Sequence, residues 1–256
     1  MKEWHGPALV LGVRNHAEAD KLVTLYSREH GRLTAIAKSA RKSKKRFVNK
    51  LEPFTLLSIT CRPPRRGSLH FLTSAELIDA NLGLRNDYHL YVTAAFICEL
   101  LKLFSGEHDP DQRIFHLART CLSILEQRQC PADILAIFFL LHLLEMCGYN
   151  PKMDACGRCG KKIDQERDFT LSPAGGCLIC SHCHHGPQTS SLHISRQTLK
   201  FLLSGRNMEL SRLSSLRMSK ENSRQAIKVL INYSRHILQQ DIHSLPSLLR
   251  CTNDTG

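Results

Sequence analysis

Five of the chain's eleven cysteines crowd into residues 156–183: Cys156, Cys159, Cys177, Cys180 and Cys183. Two Cys-x2-Cys pairs, Cys156/Cys159 and Cys180/Cys183, stand 20 residues apart. That spacing predicts a structural zinc site, because each pair forms a tight knuckle that aims two sulfurs at one point. Four thiolates close the tetrahedron and leave no position for water, so such a site would hold a fold together and would not catalyse. Gly157 and Gly160 let the first knuckle turn, and Arg158, Lys161 and Lys162 offset the thiolate charge. Cys177 forms a second possible pair with Cys180, and His182, His184 and His185 could each donate a nitrogen. The Gly175-Gly176 turn supports a knuckle nearby without choosing its ligands. The bland alternative is five reduced cysteines in a flexible loop. A catalytic zinc is disfavoured, since the chain has no HExxH and no H-x-E ahead of a P-C-x-x-C.

A second set of residues points to phosphates. Lys38, Arg41, Lys42, Lys44, Lys45, Arg46 and Lys50 lie within 13 residues that contain no acid. A mobile basic loop suits a nucleic-acid backbone, since each phosphate contact releases counterions and needs no base sequence. Arg62, Arg65 and Arg66 extend the patch from another loop. Phe47 is the only aromatic in the run, so stacking there is limited to one base. The competing reading is a solvated charged loop.

The elements that must position these groups change character along the chain. Residues 8–14, 22–26, 32–37, 54–60 and 69–73 read as five short strands separated by turn signals. Five strands in so short a span predict a small barrel, with the five-stranded OB barrel matching the count and an SH3-like barrel not excluded by it. Trp4, Tyr26, Phe54 and Phe71 are expected in the barrel core, with base stacking as their alternative. From about residue 88 the apolar period becomes helical. Helices are predicted from Tyr88, after Asp109-Pro110, and from Pro131 to Gly148, the last apolar nearly all round and therefore buried. His142 within it is expected as a satisfied core histidine, and Cys98, Cys121 and Cys147 as packing residues. Leu199, Leu202 and Leu203 mark a short helix. Ser219 caps a long one through Gln240. The tail after Arg250 is expected to fray. The predicted fold class is α+β and multidomain: residues 1–80 an OB-fold, 81–151 and 191–250 two parts of a helical domain, and 152–190 a zinc-binding insertion.

Composition narrows the function. The 256 residues carry 35 Lys+Arg against 23 Asp+Glu, a net charge of +12, of which +8 falls in the first 80 residues. An acidic partner follows, nucleic acid before an anionic membrane surface. The N-terminus shows no apolar signal segment, the longest apolar run is too short and polar to span a bilayer, and the cysteine-rich chain is expected in the reducing cytoplasm. No GxxxxGK[ST] and no nucleophile constellation is present, so no enzyme is expected.

In combination these pieces resemble the RecO family of bacterial recombination mediators. The resemblance is carried by Val10-Leu11-Gly12, by Glu18-Ala-Asp20-Lys-Leu-Val23 and Gly31, and by Ala37-Lys38-Ser39-Ala40-Arg41-Lys42. It continues through Leu51-Glu52-Pro53-Phe54, Ala75-Glu76-Leu77, and the run Leu144 to Pro151 leading into Cys156-x2-Cys159-Gly160. It implies an N-terminal OB-fold, a helical domain and a zinc-binding insertion in a non-catalytic protein. It also implies binding of single- and double-stranded DNA, annealing of complementary strands and, with RecR, loading of RecA onto DNA coated by single-strand-binding protein. The basic motif after the third strand maps to Lys38, Arg41 and Lys42, and the family's zinc ligands map to Cys156, Cys159, Cys180 and Cys183. The extra Cys177 and the segment Asp241 to Leu249 depart from the family pattern. An RNA- or ribosome-associated zinc protein is the alternative from the binding class, and a zinc-dependent nuclease the alternative from the enzymes.

Overall fold

Period-two alternation in the first third of the chain closes a five-stranded barrel. A computed structural model describes residues 2–64, 67–165, 168–184, 192–206, 208 and 210–254. The strands are β1 (Trp4–His16), β2 (Asp20–Ser27), β3 (Gly31–Ala37), β4 (Leu56–Arg62) and β5 (His70–Asp79). Their order around the barrel is β1-β2-β3-β5-β4, with β1 pairing β4 to close it. All pairs are antiparallel except β3 with β5, where Ala35 and Ile36 meet His70 and Phe71. This is the OB arrangement that the strand count anticipated. Closure leaves no long open edge to aggregate. Alternate residues fill the interior: Ala8 and Val10, Val23 and Leu25, Leu33 and Ala35, Leu57 and Ile59, with Leu72 and Ala75. β1 is long enough to pair with β2 over one half and β4 over the other because a bulge between Val10 and Gly12 bends it.

Tyr26 and Phe54 are buried as expected. Trp4 packs partly buried against the barrel core, its ring 3.9 Å from that of His30. Phe71 is half-buried beneath the Arg62 guanidinium at 5.2 Å. Phe54 adopts φ 72°, a left-handed backbone rare for an aromatic residue. Its surroundings impose it. The Phe54 N–H donates to the Val10 carbonyl at 2.9 Å, its own carbonyl accepts from Asn81 Nδ2 at 2.7 Å, and Arg85 Nη1 donates to the preceding Pro53 carbonyl at 3.0 Å.

Two compact units divide the chain, residues 1–126 and 127–256. The first also contains α1 (Gly83–Asn86), α2 (Tyr88–Phe104) and α3 (Gln112–Glu126). Asp87 caps α2 by accepting from the N–H groups of His89 and Leu90.

The second unit is built on α4 (Ala132–Met146), buried from Ile134 through Leu141. Gly148, at φ 80°, ends α4. Its N–H donates to the Glu145 carbonyl and the Tyr149 N–H to that of Leu144, the paired bonds of a Schellman cap. The helices α5 (Arg196–Arg206), α6 (Lys220–Leu238) and α7 (Leu245–Asp254) follow. Ser219 caps α6 by accepting from the Asn222 N–H, as the sequence predicts. His142 departs from expectation. Its Nε2 is buried with no hydrogen-bond partner among the described residues, and burial pushes its pKa down. The tail is also more ordered than predicted, since α7 continues past Arg250 and buries Cys251. No helix of the described residues is long and apolar enough to cross a membrane.

Candidate metal centre and nucleic-acid interface

Residues 152–195 form a small sheet that sequence periodicity did not reveal. Its strands are β6 (Lys152–Cys156), β7 (Asp168–Ser172), β8 (Cys177–Cys180) and β9 (His193–Ser195), in the order β6-β8-β7-β9. The β6/β8 pair is parallel. Cys156 and Cys180 are each the last residue of their strand, so the parallel pairing sends both knuckles off the same end of the sheet. Cys159 lies in the turn after β6, and Cys183 closes the short 3-10 turn Ser181–Cys183 after β8.

The four sulfurs lie within 4.8 Å of one another, and Cys159 Sγ is 3.7 Å from Cys180 Sγ. A tetrahedral metal with bonds of about 2.3 Å to sulfur places its ligands about 3.8 Å apart, so the spacing already matches. The four thiols could hold a metal ion. Local backbone supports them: the Cys180 N–H donates to Cys156 Sγ at 3.4 Å, and Arg158 Nη1 donates to the Cys183 carbonyl at 2.7 Å, tying one knuckle to the other. Burial raises the Cys156 pKa, but donation from the N–H groups of Cys180, Cys159 and Arg158 outweighs it, and the thiol is pulled down to about 6. Cys183, hydrogen-bonded to Cys159 and Cys180, is pushed up to about 12, and burial raises Cys180. Four adjacent thiols do not all ionise unless a cation compensates them, which is the electrostatic demand of a metal site.

Cys177 stands outside this group. It starts β8 opposite Ser172, and its sulfur lies against Gly157, where any Cβ would collide with it. Gly157 is therefore required by that close approach, whereas Gly160, at φ 72°, makes the turn. Gly175-Gly176 is the hairpin turn between β7 and β8, with the Gly176 N–H donating to the Ser172 carbonyl at 2.9 Å. His182 and His184 are not in the four-ligand group, and His185 lies outside the described residues.

The basic run begins where β3 ends, at a 3-10 turn over Ala40–Lys42. It is an anchored loop rather than a mobile one, because Ala40, Phe47 and Leu51 enter the barrel core. Phe47 is 3% exposed and so is not available to stack a base, contrary to the sequence reading. The cations divide into two groups. Lys38 lies 2.9 Å from Asp20, Arg41 Nη1 donates to the Glu18 carbonyl at 3.0 Å, and Arg46 Nη2 donates to the Lys38 carbonyl at 2.8 Å. Lys50 is tied down as well, donating to the Ala75 carbonyl at 2.8 Å. These side chains hold the loop to the β1–β2 hairpin and to β5. Lys42, Lys44 and Lys45 are exposed, and their side chains have no partner among the described residues. Arg65 and Arg66 lie outside the described residues. Asp20 was not among the candidate residues, yet it organises the loop. It accepts from the Ser39 N–H at 2.8 Å, and that bond, with the Lys38 ammonium, holds its carboxyl below the usual range. The conspicuous signal for it was a lone acid just ahead of a basic run.

Comparison with known proteins follows the same division of the chain. Residues 1–81 match the family model described as Recombination protein O N terminal, and residues 85–246 match that described as Recombination protein O C terminal. A DNA repair protein RecO of Syntrophus aciditrophicus is 33% identical over 240 residues, covering 93% of this chain and 92% of the relative. One from Syntrophobacter fumaroxidans is 31% identical over 97% of this chain and 98% of its own, and one from Myxococcus xanthus 35% over 72% and 73%. With both halves of the family matched in order, and the barrel, helices and cysteine cluster in the places the resemblance implies, the chain belongs to the RecO family of DNA repair proteins.

Proposed function

We propose that the protein is a non-catalytic recombination mediator that binds single- and double-stranded DNA and anneals complementary strands. With RecR it helps load RecA onto DNA coated by single-strand-binding protein. The observation that carries the DNA-binding part is the anchored basic loop, which presents Lys42, Lys44 and Lys45 unpaired among the described residues. Such lysines neutralise phosphates without reading bases, which is what annealing of arbitrary sequences requires. Lys38, Arg41 and Arg46 contribute charge while fixing the loop, and Arg65 and Arg66 extend the same patch in the sequence. A cytoplasmic, nucleoid-associated location fits this role.

Cys156, Cys159, Cys180 and Cys183 would hold a structural zinc. The metal would supply folding energy to the small sheet, and its four thiolates would leave no open position for a substrate. RecR and single-strand-binding protein are assigned by family membership alone.

Changing Lys42, Lys44 and Lys45 together to Glu tests the DNA surface. Binding to fluorescent single-stranded DNA should weaken, and the slope of log affinity against log salt should fall by about 0.7 for each phosphate that the loop no longer neutralises. Wild-type affinity and slope in that variant would place the DNA site elsewhere. Annealing of the complementary strand without ATP should fail in parallel with binding.

A further inference from the structure

The basic loop provides charge but no exposed aromatic, since Phe47 is in the core. An aromatic face does occur on the other side of the same β1–β2 hairpin. A cleft of about 380 Å³ there is lined by Arg14, Lys21, Glu52, Pro53, Arg85 and Tyr91. Its size falls within the range of ligand sites, about 300–1,000 Å³. Three cations face one carboxylate. Lys21 is loosely held by Glu52 at 3.4 Å, and exposed Arg14 has no side-chain partner among the described residues. Arg85 is fixed through Nη1, which donates to the Pro53 carbonyl and, at 3.1 Å, to Thr55 Oγ1. Of its five donors, the others have no partner among the described residues. Tyr91 is 41% exposed, and its ring is steadied edge-on by buried Phe54, centroids 5.2 Å apart.

A net positive cleft with a supported aromatic face suits a flat, anionic ligand. The cleft is also placed along the path of a bound strand. Strand register sets Arg14 opposite Leu22 and Asn15 opposite Lys21, so both cleft cations flank the hairpin tip. That tip, Glu18 to Asp20, is where Arg41 and Lys38 attach the basic loop. We propose that the cleft takes one nucleotide of single-stranded DNA, its base stacked on Tyr91 and its phosphate between Arg14 and Lys21. The inference rests on the reading of the loop as the main DNA surface and adds the stacking contact that the loop lacks.

The test uses the full chain and a short thymidine oligonucleotide carrying iododeoxyuridine, a photo-crosslinker that reacts with aromatic side chains. The mapped crosslink should fall on Tyr91. Tyr91→Ala should lose about 5- to 100-fold in affinity with an unchanged salt slope, because a stacking contact and no phosphate contact is removed. Tyr91→Phe should retain binding. Arg14→Ala alters an exposed residue and leaves the fold alone; it should lower the salt slope by about 0.7. The absence of a Tyr91 crosslink, together with a wild-type slope in Arg14→Ala, would overturn the proposal even if Tyr91→Ala failed to fold. Failure of the underlying reading is separable: it would appear as wild-type binding by the variant with Lys42, Lys44 and Lys45 changed to Glu.

Discussion

Removing the Phe47 ring would leave a cavity in the barrel core, where the side chain is 3% exposed. Phe47→Ala is expected to cost about 3–5 kcal/mol in a denaturant titration, the range for truncating a buried phenylalanine. It should also weaken DNA binding, because Arg46 lies over that ring at 4.6 Å and the loop's lysines would no longer be held in one place. From a charged run alone, Phe47 read as a stacking residue. Its role is decided by long-range packing against β-strand residues that the local sequence does not show. Asp20 acts at the same scale. Its folded pKa is depressed, first by the Ser39 N–H and then by Lys38. Its contribution is therefore complete above the ordinary carboxylate pKa of about 3.9 and is lost as pH falls through the lower folded value. An NMR titration should find Asp20 still ionised where exposed aspartates have protonated. Asp20→Asn should raise hydrogen exchange at the Ser39 amide at neutral pH.

At the scale of elements, close approach decides what the sequence leaves open. Gly205 lies within α5, and a Cβ there would run into the Phe138 ring of α4. Helix propensity alone favours Gly205→Ala by about 1 kcal/mol. Overpacking costs about 1–3 kcal/mol and a rigid ring gives little, so the expected outcome is a lower melting temperature. The barrel strands were legible because alternation over 7–13 residues is a strong signal. The β6–β9 sheet was not, since its strands have 3–5 residues and its register follows the cysteine knuckles. The ligand spacing was legible while the sheet that delivers it was hidden. α7 was missed because Pro246 read as a breaker, although at the second helical position its absent N–H costs no hydrogen bond. The metal's role follows from this dependence. Chelation should release one metal ion per chain and remove amide protection across β6 and β8, while the barrel amides stay protected. Protection of β6 and β8 that survived complete metal removal would contradict a structural role.

For the whole molecule the question is whether DNA responds to total charge or to its placement. The protein carries +12, and a uniformly spread excess would attract any polyanion through its long-range field. That field is screened beyond about 8 Å at physiological salt, so placement should dominate there. Two variants separate the effects. Changing Lys42, Lys44 and Lys45 to Glu takes the net charge from +12 to +6, and so does changing the exposed Lys152, Lys220 and Lys228 of the second unit. If the loop is the DNA surface, the first variant should lose about ten- to a hundredfold in affinity near physiological salt, and the second should stay within about threefold of the wild type. Equal losses would show that binding follows net charge and that no part of the barrel is a dedicated surface. The same pair bears on annealing. Two strands are brought together only if their phosphates are neutralised at one place, so annealing should fail in the loop variant and persist in the other, even though both proteins carry the same net charge.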